Sequence, residues 1–491
     1  MKVHDLLNLA VTDVVLGGQA LARHDGRVVF LDRGLPGDHV QARLTRMRRR
    51  WAEGRLESIV TASPDRVAAL CPHVQQCGGC RFQDLAYDAQ CRLKERQVRE
   101  TLAHLGGLSA PHVEPLVPAP STWRYRNKME FTFCPAPDGS PLLGLHERGA
   151  YDRVFALETC LLPSELTVAI VALTQRVARE WRWAAHHPRR HDGIVRHLVV
   201  RHLPHLDQCA VNLVTTEDRL DGLEAWAHEV AALSPAVRSV TLLINRSRAN
   251  IALGDEERVL AGDATIVERL LGLEFEASSA AFLQTNSGQA EALYSAALAA
   301  ARLTGDETVL DLYCGTGTLT LLFARAAREA IGVESVEPAV DAARRNATRN
   351  GIANARFESG EARRVLRAWA RGERDGAPTP GLVVVDPPRA GLHPRVVTRI
   401  TELKPSRIVY VSCNPGTFAR DVRDFALQGY ALETVTPFDM FPHTPHIECV
   451  ARLVASPDAA DTLTASARAQ GAGRDPGSAR DRDAAREPGG E

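Results

Sequence analysis

The feature that most constrains this chain is a set of three short apolar runs, each stopping at a chemistry-bearing turn. Val309-Leu310-Asp311 runs into Leu312-Tyr313-Cys314-Gly315-Thr316-Gly317. Leu382-Val383-Val384-Val385 ends in Asp386-Pro387-Pro388, and Ile408-Val409-Tyr410 leads through Val411-Ser412 to Cys413-Asn414-Pro415. Runs of this kind, bounded by Gly and Pro, read as strands. Their alternation with helical stretches over residues 281–455 reads as a doubly wound, Rossmann-like α/β sheet. Ligands and chemistry gather at the carboxyl ends of the strands in such a sheet. A Gly-rich turn, an acid and a candidate nucleophile, Cys413, are therefore expected on one edge.

The remaining sequence divides by composition. A chain of 491 residues suggests about three domains of roughly 150 residues each. At 45% hydrophobic and 24% charged residues it is an ordinary globular composition. No stretch approaches the ~20 apolar residues of a membrane span, and Met1-Lys2-Val3-His4-Asp5 lacks the apolar core of an export signal. A cytoplasmic protein without membrane association, and with no obligatory protein partner in evidence, is expected. Residues 1–62 pack short β-like runs between turns at Gly17-Gly18 and Pro36-Gly37-Asp38, which suggests a small OB-like barrel. Residues 63–280 hold a cysteine-rich segment, a helix from Tyr87 to Leu102 and an α+β mixture that includes strands at Val195 to Arg201 and Val240 to Asn245. Residues 371–380 read as a flexible loop. Residues 456–491, rich in Ala, Arg, Asp and Gly, read as a disordered tail.

Net charge is -1, which gives no overall attraction to nucleic acid. Arg43, Arg46, Arg48, Arg49, Arg50 and Arg55 nevertheless form a local basic cluster, either a phosphate-binding surface or a solvated edge. The ten cysteines are not spaced as a disulfide framework. Cys71, Cys77 and Cys80 have the spacing C-x5-C-x2-C, and Gly78-Gly79 lets the loop wrap tightly. Thiolates so placed suit a soft metal or an iron–sulfur cluster, and spacing alone does not separate zinc from iron–sulfur. A fourth ligand must come from elsewhere; Cys91 falls in the helical stretch, and Cys160 lies on a loop.

In the C-terminal region, Gly315 and Gly317 let backbone approach a ligand before a helix from Leu319 to Arg328. The next strand, Ala330 to Val333, ends in Glu334, a carboxylate suited to a ribose diol. A dinucleotide site is the competing interpretation. The turn lacks the third spaced glycine of that site, and a later strand ends in Asp-Pro-Pro, so S-adenosylmethionine is the expected ligand. Asp386 would hold the ligand or the target base.

These residues together resemble the RNA uridine C5-methyltransferase family, specifically its TRAM-domain, iron–sulfur members that form 5-methyluridine. The resemblance runs from about residue 10 to residue 455. It rests on the cysteine spacing, Tyr125-Arg126-Asn127-Lys128-Met129-Glu130-Phe131, Phe282-Leu283-Gln284-Thr285-Asn286, Asp311 to Gly317, Ser412-Cys413-Asn414-Pro415 and Phe441-Pro442-His443-Thr444-Pro445-His446-Ile447-Glu448. It implies a TRAM barrel over residues 1–62 and an iron–sulfur-binding central region over 63–280. It also implies a [4Fe–4S] cluster on Cys71, Cys77, Cys80 and Cys160. The implied cofactor contacts are Gln284, Tyr313, Glu334 and Asp386, with Thr318 and Glu361 on the cofactor side. Leu283 stands where the family has a second Phe, and Thr318 and Glu361 also depart from its usual residues.

The resemblance further implies a catalytic pair. Cys413 would add to C6 of the uracil to activate C5, and Glu448 would later remove the C5 proton. The base would be flipped out of folded RNA, with ribosomal RNA of the large subunit expected and tRNA as the alternative. Two other classes remain. An amino-methylating enzyme would place an aromatic after Asp-Pro-Pro, where this chain has Arg389, and would leave Cys413 idle. A non-catalytic RNA-binding protein would have no use for Cys413 and Glu448 in these contexts.

Overall fold

The computed structural model describes residues 1–249, 251–373 and 375–472. The chain opens with β1 (Leu6–Val14), β2 (Ala20–His24), β3 (Arg27–Leu31), β4 (His39–Met47) and β5 (Trp51–Thr61). They close into a barrel in the order β1-β2-β3-β5-β4. Alternation along each strand puts Leu9, Val11, Ala20, Ala22, Val29, Leu31, Val40, Ala42 and Leu44 inside. Gly54 permits closure, because a Cβ there would lie 2.9 Å from Leu31 Cδ2 and 3.3 Å from the Arg43 carbonyl.

Residues 63–86 carry the first three of the expected cluster cysteines with little regular structure and lead into α1 (Tyr87–His104). This helix joins two cores. Ala89 and Leu93 pack with the barrel interior, while Val98 and Leu102 pack with the C-terminal unit. The central unit comprises β6 (Lys128–Pro135), β7 (Pro141–His146), β8 (Val154–Ala156), α2 (Glu165–Glu180), β9 (Val195–Leu203), β10 (Gln208–Thr215), α3 (Leu223–Ala232), β11 (Val237–Ile244) and β12 (Glu256–Gly262). Its sheet runs β12-β11-β10-β9-β6-β7-β8. The hairpin β13 (Ile266–Leu270) and β14 (Leu273–Ala277), assigned to the central region on sequence, instead buries Ile266, Leu270 and Phe275 in the C-terminal core. Alternation reports that a face is buried, not which neighbour covers it.

The C-terminal unit contains α4 (Ser287–Ala301), β15 (Thr308–Leu312), α5 (Thr318–Ala324), β16 (Glu329–Glu334), α6 (Glu337–Arg349), β17 (Ala355–Ser359), α7 (Ala362–Ala370), β18 (Leu382–Val385), α8 (Pro394–Glu402), β19 (Arg407–Ser412), α9 (Pro415–Ala426), β20 (Tyr430–Phe438) and β21 (Glu448–Ala455). The sheet order is β17-β16-β15-β18-β19-β21-β20. The strands from β17 to β19 are parallel, and β21 runs antiparallel to both its neighbours. Every residue of β15 and β18 is buried, as a sheet covered on both faces requires.

The expected disordered tail begins too early at residue 456. A 3-10 turn at Ala459–Thr462 and helix α10 (Ala465–Ala472) follow β21. Ala459, Leu463 and Ala467 are buried, Leu463 bridges to Leu108, and the Thr464 N–H donates to the Gly107 carbonyl at 2.7 Å. A few small apolar side chains seal this groove, a signal diluted by the polar residues beyond. Residues 473–491 lie outside the described residues. Among the described residues no helix is long and apolar enough to cross a membrane.

Candidate active site at the carboxyl edge of the C-terminal sheet

The turn after β15 is shaped by its own backbone. Tyr313 takes a left-handed φ of 67°, Gly315 54° and Gly317 85°. The N–H groups of Tyr313 and Cys314 donate to the Val333 carbonyl on β16, at 2.9 and 3.1 Å. Glu334 closes the same turn: its Oε2 accepts from the Gly315 N–H at 3.1 Å, and its Oε1 accepts from the N–H groups of Ser335 and Val336 at 2.6 and 2.9 Å. The result is a cleft of about 400 Å³ lined by residues that include Phe282, Tyr294, Asp311, Tyr313, Thr318 and Asp386.

Charge in this cleft is one-sided. Asp311 is fully buried, and its Oδ2 accepts from the Thr320 hydroxyl at 2.6 Å while its Oδ1 has no hydrogen-bond partner. Burial, reinforced by the nearby Asp386, pushes the Asp311 carboxyl up to about 7. Burial alone pushes Asp386 up to about 7. The phenol of Tyr294 is also raised, first by burial and then by Asp386, Glu448 and Asp311.

β19 and β21 bring the two candidate catalytic residues together. Their antiparallel register pairs Ser412 with Cys449, so Cys413 and Glu448 occupy the adjoining step of the ladder. Cys413 is half-buried at the end of β19, and the next residue, Asn414, caps α9 by accepting from the Gly416 N–H at 3.0 Å. Burial, then Glu448 and Asp386, push the Cys413 thiol up to about 11, while Arg389 opposes the rise. Glu448 is buried at 4% exposure, and burial followed by Asp386 holds its carboxyl well above the usual range, again against Arg389.

Of the six residues expected to contact a cofactor, Tyr313, Thr318 and Asp386 line the cleft. Glu334 stands behind the Gly315 turn. Gln284 is buried in a segment fixed by Asn127, whose Nδ2 donates to the Gln284 carbonyl at 3.0 Å. Glu361 occupies the residue before α7, pairs with Arg363 and Arg364 at 3.3 and 3.2 Å, and raises the Tyr313 phenol after burial has done so. Asp311, Tyr294, Phe282 and Arg389 were not singled out as site residues. Asp311 opens the Gly-rich turn and Arg389 follows Asp-Pro-Pro, so both carried a positional signal; Tyr294, one of the buried residues of α4, carried none.

Residues 193–455 match the model of the tRNA (uracil-5-)-methyltransferase family, and residues 7–56 match the TRAM domain. The chain belongs to this methyltransferase family. It is 36% identical to an uncharacterized RNA methyltransferase of Halalkalibacterium halodurans over 92% of this chain and 97% of the relative. It is 39% identical to an uncharacterized RNA methyltransferase of Nitratidesulfovibrio vulgaris over 93% and 97% of the two chains. The fold is similar to that of the Pyrococcus abyssi tRNA (uracil-54, C5)-methyltransferase solved with S-adenosyl-L-homocysteine. The TM-score is 0.73 at 29% identity, covering 91% of this chain and 99% of that one.

Against the family pattern, the Leu283 departure is a packing matter. Leu283 is 5% exposed within the C-terminal core, while Phe282 stands 68% exposed at the mouth of the cleft. The barrel, matched as a TRAM domain, distributes its arginines unevenly. Arg43 pairs with Glu57 at 2.7 Å and Arg46 lies 3.9 Å from Glu53, so part of the expected basic cluster is neutralised within the barrel. Arg48, Arg49 and Arg50 stand exposed at the β4–β5 turn. A second cationic surface was not anticipated. Arg33, Arg55, Arg81, Arg148 and Arg153 line a cleft of about 1380 Å³ between the barrel and the cysteine segment. Burial, then Arg81 and Arg33, lower the Arg148 guanidinium.

All four expected cluster cysteines are free thiols; Cys71, Cys80 and Cys160 are buried and Cys77 is partly exposed. Burial pushes Cys80 up to about 12 and Cys160 up to about 11, and in each case other members of the quartet add to the rise. Arg148 fastens the loop by donating to the carbonyls of Val74, Cys77 and Cys80 at 3.0, 3.2 and 3.1 Å. Among the described residues, no group of three or more His, Cys, Asp or Glu is arranged to hold a metal ion. Cys77, Cys80 and Cys160 are nevertheless each raised in part by other members of the quartet. Cys91, partly exposed on α1, is raised by burial and then by Asp439, outside the quartet.

Proposed function

We propose that this chain transfers a methyl group from S-adenosylmethionine to C5 of a uridine in RNA, forming 5-methyluridine. The observation that carries this is the β19–β21 register, which sets Cys413 beside Glu448 next to the acidic cleft. The cleft suits a cationic ligand: among the described residues Asp311 has a buried oxygen without a hydrogen-bond partner, and no cation offsets the burial of Asp386. S-adenosylmethionine supplies an electrophilic sulfonium methyl when bound there. Tyr313, Thr318 and Asp386 would contact it directly. Glu334 would accept from the ribose hydroxyls while keeping the Gly315 turn closed, and Gln284 and Glu361 would flank it.

The remaining steps belong to the chain and the uridine. Cys413 begins as a thiol and releases its proton to solvent, becoming a thiolate, as bound positive charge offsets Asp386 and Glu448. The thiolate adds to C6, and the C5–C6 π electrons move toward O4 as an enolate. C5 then attacks the methyl carbon, whose bond to sulfur breaks with its electrons leaving on the neutral thioether. Glu448 as carboxylate takes the C5 proton, the C5–C6 double bond re-forms, and the Cys413 thiolate is expelled. The raised basicity of buried Glu448 suits this last step.

Large-subunit ribosomal RNA is the substrate proposed from the TRAM barrel combined with the cysteine segment. The likeness to the Pyrococcus abyssi enzyme supports tRNA as the second substrate class. Mapping 5-methyluridine in both RNAs, from cells with and without the gene, separates them. Cys413→Ala should form no covalent complex with RNA. Glu448→Gln should accumulate a methylated complex that survives denaturing gels. Normal turnover by Glu448→Gln would refute the division of labour.

For the cysteine segment we propose a [4Fe–4S] cluster held by Cys71, Cys77, Cys80 and Cys160. Its support is four free thiols, three of them on a loop fastened by Arg148, with Cys77, Cys80 and Cys160 each raised in part by other members of the quartet. Protein purified without oxygen should be brown and contain about four iron atoms per chain. A colourless, zinc-bearing, fully active protein would exclude it.

A further inference from the structure

The segment leading into Glu448 is held by its backbone carbonyls, each gripped by a different part of the molecule. Asn286 Nδ2 donates to the Met440 carbonyl at 3.0 Å and Lys94 Nζ to that of Phe441 at 3.2 Å. The Tyr125 hydroxyl donates to the Pro442 carbonyl at 3.1 Å. The His443 carbonyl receives two donors, the N–H groups of Arg81 and Phe82 at 2.8 and 3.0 Å. These two residues directly follow Cys80.

His443 is built into this junction. Its backbone is left-handed, with φ 67°, and its ring stacks on Trp123 with centroids 4.0 Å apart. Its N–H donates to Gln90 Oε1 at 2.9 Å, and Gln90 Nε2 donates back to the carbonyls of Phe82 and Leu85 at 2.9 and 2.8 Å. Gln90 and His443 thus grip the same stretch of the cysteine segment from two sides. Cys413 hangs from β19 and α9, and the β15 and β18 walls of the cleft are paired in the sheet without residues 439–447.

We propose that His443 is a positioning residue for Glu448. Its left-handed backbone turns the carbonyl onto the N–H pair after Cys80, so that the cysteine segment sets the placement of the base. This rests on the covalent cycle proposed above, and it places the effect on one step. Loosening the junction shifts Glu448 and slows elimination, while addition and methyl transfer proceed.

The test compares two substitutions that both remove the ring stack. Asparagine tolerates a left-handed backbone, and valine does not. His443→Asn, His443→Val and the unmodified enzyme would be mixed with unmodified 23S rRNA and tRNA transcripts and methyl-labelled S-adenosylmethionine. The labelled protein–RNA complex surviving denaturation would be followed with time. His443→Val should form the complex at the normal rate and resolve it roughly tenfold more slowly, with S-adenosylmethionine affinity unchanged. His443→Asn should resolve it at close to the normal rate. If valine fails to fold, His443→Ala, which also removes the stack and disfavours the left-handed backbone less severely than a β-branched residue, should show a smaller slow phase in its place, and Trp123→Leu, which removes only the stack, should not. Equal resolution in all variants overturns the inference, and so does a parallel loss of complex formation in both His443 variants. If the unmodified enzyme forms no complex even with 5-fluorouridine transcripts, the covalent cycle itself fails.

Discussion

The acidic cleft should make S-adenosylmethionine binding depend on pH near neutrality. With its carboxyl at about 7, Asp386 is roughly 9% ionised at pH 6 and roughly 91% at pH 8. If the sulfonium is bound by the ionised form, affinity should rise about tenfold over that interval. Asp311, also at about 7, would extend the range toward about a hundredfold if the two ionised independently. Their proximity opposes independence, so the expected gain lies nearer the lower figure. Calorimetry at pH 6, 7 and 8, in buffers of different ionisation enthalpy, should also detect proton release on binding. S-adenosylhomocysteine, which lacks the sulfonium charge, should give a shallower slope, and Asp386→Asn should remove most of it. A flat affinity from pH 6 to 8, or an undiminished slope in Asp386→Asn, would refute the reasoning. A stability consequence has a fixed sign. Both folded values lie above the ordinary 3.8, so the folded chain holds extra protons between the two. Their contribution to stability is full below about 3.8 and is lost as pH rises through about 7. Bound S-adenosylmethionine should raise the melting temperature more at pH 8 than at pH 6.

Two further outcomes test other parts of the structure. Lys94 and Asp439 form a fully buried pair at 2.6 Å, so Lys94→Met should cost about 3–5 kcal/mol in chemical denaturation by stranding a buried carboxylate; replacing both partners with apolar residues should recover much of it. Arg55 and Arg81 line the cationic cleft without salt bridges among the described residues, whereas Arg43 is paired. Arg55→Ala and Arg81→Ala should each lower the salt-dependence slope of RNA binding by about one unit, and Arg43→Ala should leave it nearly unchanged.

The local grammar of the chain was legible because it rests on short-range physics. Glycines at positive φ, prolines after strand ends and β-branched runs marked β15, β18 and β19 without knowledge of any neighbour. The barrel was readable for the same reason, since alternation and turn residues set its strands. The family motifs carried Cys413 and Glu448. A lone Glu in β21 has no local mark of a base, and it is the tertiary strand register that brings it beside the thiol.

What tertiary structure decided was where buried faces go and which charges meet. The β13–β14 hairpin and residues 459–467 show apolar patterns whose partners lie elsewhere in the chain, so sequence placed one in the wrong unit and the other in a tail. The arginine cluster read as one basic patch, but β5 carries Glu53 and Glu57 opposite it, and a second set of arginines, of which Arg153 is paired with Glu147, converges from four separated segments. The carboxyl values at Asp311 and Asp386 arise from desolvation, with Asp386 adding to the rise at Asp311, which no spacing rule encodes. Sequence determined the elements and the reactive groups, because propensity and turn chemistry act within a few residues. Tertiary structure decided their electrostatics and the grip on the segment before Glu448, because the first depends on residues tens of positions apart and the second on residues hundreds of positions apart.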